Sequence, residues 1–105
     1  MDYDGVDYLE QGNMWKRQGH IFRSPFYYID YCLAQICAIQ FWSRAQKGDK
    51  TAWQDYLTLC RAGGSKSFLD LVKLANLNNP FELTTVQPVI TEVKAWLDGI
   101  DDTKL

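Results

Sequence analysis

The sequence holds a single histidine, His20, among 105 residues. A centre built on two imidazoles, including the His-Glu-x-x-His zinc motif, is therefore excluded from this chain alone. Cysteine is nearly as scarce. Cys32, Cys37 and Cys60 are an odd set without CxxC or Cys/His spacing, so neither a disulfide framework nor a structural zinc site follows, and a reducing cytoplasm fits best. There is no basic excess: the net charge is −2 and the pI about 5.2, which argues against phosphate neutralisation and so against nucleic acid, and equally against an anionic membrane surface. A secretory leader is not expected either, because Met1 to Glu10 carries four acidic groups and no basic stretch ahead of an apolar one. Long hydrophobic runs are missing as well. The longest, Pro25 to Trp42, is interrupted by Asp30, Gln35 and Gln40 and crowded with tyrosine at its start, which reads as a helix inside a protein and not inside a bilayer.

What is present is enough for one core, with 47% hydrophobic and 14% aromatic residues, and no repeat or linker divides it. Residues 1–105 are therefore expected to form one helical domain. Glycine and proline fall at intervals of roughly a helix length, which predicts an all-α fold, a compact bundle of about five helices. Val6 to Arg17 reads as a first helix weakened by Gly12, and His20 to Ser24 as loop after the break at Gly19. Ser24 and Pro25 read as an N-cap with proline at the first helical position, opening a long helix that runs to Lys47. Its apolar residues, among them Ile29, Leu33, Ile36, Phe41 and Trp42, occupy every face, the pattern of a helix surrounded by protein. Asp49 is expected to cap a helix from Lys50 to Arg61 and Ser65 to begin one from Lys66 to Ala75. Thr84 or Thr85 should cap a last helix, with Pro88 in its first turn, and the tail from Asp101 should fray.

Several groups could carry chemistry. Tyr28 and Tyr31 stand three apart, and Tyr27 and Tyr31 four apart, so on a helix their hydroxyls converge. Core aromatics have the same spacing, but a buried hydroxyl without a partner costs about 1–3 kcal/mol, and a polar cleft at the helix start would satisfy all three. Asp30, on a mostly apolar helix, should pair with Arg23, Arg17 or a group outside the chain. Cys32 and Cys37 read as small buried hydrophobes. Gly63-Gly64-Ser65 lacks the rest of a phosphate-loop pattern and reads as a helix–helix turn.

The run Trp15-Lys-Arg-Gln-Gly-His20-Ile-Phe-Arg-Ser-Pro25-Phe-Tyr-Tyr-Ile-Asp30-Tyr31 resembles the stretch downstream of the zinc motif in oligoendopeptidase F and its thimet-oligopeptidase relatives. Leu33-Ala-Gln35, Gln40-Phe-Trp42, Ala52-Trp53 with Tyr56, Gly63-Gly64 and Pro80-Phe81 extend the likeness over nearly the whole chain. The resemblance implies the C-terminal part of a larger, mostly helical zinc metallopeptidase that hydrolyses short peptides. Zinc and its ligands would belong to the parent enzyme outside this chain, which alone should be inactive. By the same resemblance, His20 and Tyr31 are the catalytic candidates, donors to the oxyanion formed from the substrate carbonyl. Tyr28 and Tyr27 are the substrate-binding candidates, and no residue of this chain is a metal ligand. The expected partners are short peptides, the N-terminal part of the peptidase, and a second copy through exposed apolar surface. A free-standing helical module that binds another protein is the alternative.

Overall fold

A computed structural model of the chain describes residues 3–101. The tail expected to fray beyond Asp101 lies outside them. Every regular element among the described residues is helical: α1 (Asp7–Glu10), a 3₁₀ turn (Asn13–Arg17), α2 (Gly19–Arg23), α3 (Tyr28–Gln46), α4 (Ala52–Ala62), α5 (Phe68–Leu74) and α6 (Leu83–Asp98). The chain divides into two compact units, Met1–Cys32 and Leu33–Leu105.

The first unit departs most from expectation. The single helix expected over Val6 to Arg17 is split, because Gly12 takes the left-handed conformation at φ 78° and turns α1 into the 3₁₀ segment. The loop expected over His20 to Ser24 is largely helix, closed by Ile21 N–H to Gln18 O (3.1 Å) and Ser24 N–H to His20 O (3.1 Å). Ser24 therefore ends α2 instead of capping α3. Pro25 does not open the long helix either, since Phe26 at φ 70° interposes a left-handed residue and α3 starts only at Tyr28.

In the second unit, packing rests on helix ends. α5 closes with Asn76 in the left-handed region at φ 52°, where Asn76 N–H donates to Lys73 O and Leu77 N–H to Val72 O, both at 3.0 Å. That pair of bonds is a Schellman motif, and its hydrophobic partners Val72 and Leu77 are buried together with Ala75, against Cys37, Phe41 and Leu59. The Gln40 amide, buried on α3, pairs with both backbone groups of Asn78, donating to its O (3.1 Å) and accepting from its N–H (2.8 Å). On α6, Glu92 accepts from the Ser43 hydroxyl and from Lys47 Nζ (2.5 Å), and Trp96 meets Trp42 edge-on at 5.5 Å.

Within this chain α3 buries only the polar Gln40 and Ser43, and Cys32, expected to be a small buried hydrophobe, is exposed. Only Cys37 is part-buried, and burial raises its thiol pKa. The helix starts are corrected too. Asp49 does hold the beginning of α4, accepting from Thr51 N–H (2.9 Å) and Thr51 Oγ1 (2.7 Å), but the helix begins at Ala52. Ser67, not Ser65, caps α5, because Gly63 at φ 52° and ψ −133° delays the chain's return to helix. α6 opens at Leu83 without a side-chain cap, so Thr84 and Thr85 lie inside it and Pro88 sits in its interior.

Arg44 joins three of these ends. Its Nε meets Asp49 at 2.7 Å and its Nη2 meets Asp55 at 2.6 Å, while Nη1 reaches Ala75 O at 3.4 Å. Hydrogen bonds from Thr51 and from Arg44 hold the Asp49 pKa down at about 2, and Arg44 and Asn76 lower that of Asp55. A carboxylate whose folded pKa is depressed below its ordinary value near 4 contributes stability above that value and loses it as pH falls through the folded pKa. The urea midpoint of the chain should therefore fall between roughly pH 4 and pH 2, and the fall should be shallower in Arg44→Met. An equally steep acid loss in that variant would remove Arg44 as its source.

Candidate functional site

The site is built in the first unit by the turn between α2 and α3. α2 presents His20 one turn before its end, a turn with Phe26 at positive φ follows, and the first turn of α3 carries Tyr28 and Tyr31. The four candidate side chains converge. The His20 ring lies 5.8 Å from Tyr27, 5.8 Å from Tyr28 and 5.3 Å from Tyr31, centroid to centroid. Tyr31 in turn lies 5.6 Å from Tyr27, edge-on, and 5.9 Å from Tyr28.

The tyrosines are not buried in this chain, contrary to expectation: Tyr27, Tyr28 and Tyr31 are 49%, 40% and 50% exposed. His20 is half-buried, and its Nδ1 is enclosed without a hydrogen-bond partner. A buried imidazole nitrogen left unsatisfied is uncommon. A hydrogen bond with Tyr27, the Tyr27 charge, burial and the nearby Asp30 together raise the Tyr31 pKa, so its phenol stays protonated. Asp30 itself is exposed and pairs with neither Arg23 nor Arg17, so two of the three partners expected for it do not meet it.

The arrangement suits hydrogen-bond donation. It does not suit a metal: His20 is surrounded by phenols, and no three His, Cys, Asp or Glu side chains gather into a ligand set among the described residues. Among the described residues, none forms a set that zinc would fit. The second unit has a polar cleft lined by Gln40, Ser43, Arg44, Lys47 and Glu92, and no such ligand set among the described residues. One apolar cleft there, about 270 Å³, is lined by groups including Cys37, Phe41, Tyr56, Leu59, Phe68 and Val72.

Sequence spacing placed Tyr28 and Tyr31 together, but two features lay beyond it. The turn at Phe26 has no sequence signal, since a bulky aromatic is among the residues least expected at positive φ. The stacking of Trp15 on Phe22 at 5.9 Å, with Lys16 over Trp15 and Tyr8, was also unforeseen, because it joins residues of separate short elements.

No family model matches the chain. Among curated proteins, it is 30% identical over 81 residues to an oligoendopeptidase F homolog of Mycoplasma genitalium, a match covering 74% of this chain and 13% of the relative. Solved structures agree more closely. An X-ray structure assigned to oligoendopeptidase F superposes with a TM-score of 0.80 at 56% identity over 99% of this chain, and PZ peptidase A with an inhibitor at 0.80 and 59% over 96%. A third, assigned to oligoendopeptidase F of Bacillus anthracis, gives 0.72 and 56% over 92%. In each the chain spans 18% of the solved protein. Identity above one half along nearly the whole of these residues, on the same helical path, leaves one conclusion: the chain belongs to the oligoendopeptidase F family.

Proposed function

We propose that this chain is a helical segment of a zinc-dependent oligoendopeptidase that cleaves short peptides, and that it supplies the donors that meet the substrate carbonyl. The observation that carries this reading is the convergence of three phenols on a half-buried imidazole whose Nδ1 has no partner. When water adds to a peptide carbonyl, negative charge develops on the carbonyl oxygen. A donor already aimed at that position stabilises the transition state more than the substrate, because little reorganisation is needed when the charge appears. Tyr31 is the principal donor in this scheme, and its raised pKa keeps the proton it must share. Tyr28, adjoining both Tyr31 and His20, holds the substrate backbone, and His20 supports either. The zinc expected in the whole enzyme would take its ligands from elsewhere in the longer protein.

The apolar cleft of the second unit favours a different reading, a helical module that binds another protein. One hydrolysis experiment separates the two. The purified 105-residue chain, with zinc added, should release no product from a short peptide, whereas the longer protein that includes it should do so and stop when a chelator is added. Chelator-sensitive hydrolysis by the chain alone would end the division of roles proposed here. An inert longer protein would favour the binding module.

A further inference from the structure

Resting on that reading, we infer that Tyr27 is a positioning residue: the left-handed turn at Phe26 sets its phenol against Tyr31 and His20, so that it orients both toward the substrate carbonyl. Tyr27 immediately precedes α3 and stands between the turn and the helix. Its place is set by the turn. Tyr27 N–H donates to Ser24 O at 3.1 Å and Asp30 N–H donates to Tyr27 O at 3.1 Å, which fixes the residue from both sides. The turn itself depends on Phe26 at φ 70°, a conformation unfavourable for a bulky side chain. The Phe26 ring is 83% exposed, so burial of that ring does not offset the strain. Strain of this kind persists where the surrounding structure needs the geometry, and what this geometry achieves is the approach of Tyr27 to its two neighbours.

The contact has direction. Tyr27 meets Tyr31 edge-on, with the ring planes at 77°, and lies 5.8 Å from His20 at 42°, so a single side chain braces both candidate donors. The groups that face Tyr31 are His20 from α2, Tyr27 from the turn, and Tyr28 and Asp30 from α3. Tyr27 acts most strongly on its proton, through a hydrogen bond that favours the protonated phenol.

Tyr27→Phe keeps the ring and removes only the hydroxyl. In the 105-residue chain, tyrosine ring-carbon NMR follows the Tyr31 signal, assigned by its loss in Tyr31→Phe. The titration of Tyr31 should move down toward the ordinary phenol value of about 10 in Tyr27→Phe. In the longer protein the same variant should lower kcat about tenfold, less than loss of the donor itself, with KM unchanged and the alkaline limb of the rate profile moved to lower pH. An unmoved Tyr31 titration overturns the positioning role whatever the kinetics show. A moved titration with unchanged kcat also overturns it, provided that Tyr31→Phe is itself impaired. If Tyr31→Phe is fully active while the titration moves, Tyr27 does hold Tyr31, and the oxyanion reading is what fails.

Discussion

Tyr31→Phe, made in the longer peptidase that carries this segment, is expected to lower kcat roughly 10²–10³-fold while leaving KM nearly unchanged. The substitution is nearly isosteric. The ring packing against Tyr27 and His20 should survive, while the hydrogen bond between the Tyr31 and Tyr27 side chains is lost with the hydroxyl. What disappears is one O–H donor that is half exposed and held protonated by its neighbours. A donor that met the substrate carbonyl equally in the ground state and the transition state would show its loss as a raised KM. One that acts only as charge accumulates would show it in kcat. Single-turnover rates on a short peptide, with binding measured separately, distinguish the two. Wild-type kcat in the variant would remove Tyr31 from the chemistry.

The second large effect concerns stability. Leu77→Ala should destabilise the chain by about 2–5 kcal/mol, toward the lower end because the neighbouring cleft already relieves part of the cavity cost. Leu77 is 8% exposed and completes the buried cluster with Val72 and Ala75, where it packs with Cys37 of α3 and Leu59 of α4. It also donates the backbone bond that closes the end of α5, so its side chain and its backbone serve the same junction. Phe81→Ala is the comparison, since that larger ring is 61% exposed and its loss removes little burial. Urea unfolding of both variants decides the matter: equal shifts in midpoint would mean that the Val72, Ala75 and Leu77 cluster is not what holds the second unit together.

The residues of this chain divide by how local their determinants are. The all-helical class was legible, because apolar spacing and glycine punctuation act over a single turn. The relation of Tyr28 to Tyr31 was legible for the same reason, three residues on one helix face. Caps were less so. Ser24, Ser65 and Thr84 all have the right chemistry at plausible positions, yet the helices start at Tyr28, Phe68 and Leu83. A cap stabilises by about 1 kcal/mol, less than the difference that a left-handed residue or a packed end can make nearby.

By itself, then, the sequence determined that the chain is helical, that it lacks a two-histidine metal site, and that His20 and three tyrosines form its chemically distinctive segment. Composition and short-range periodicity suffice for such statements. Tertiary structure alone decided that Phe26 turns left-handed, that Tyr27 closes on Tyr31 and His20, and that Arg44 gathers two carboxylates and a helix end. Those outcomes depend on groups brought together by packing, where a few tenths of a kcal/mol of local preference yield to contacts that exist only once the chain has folded.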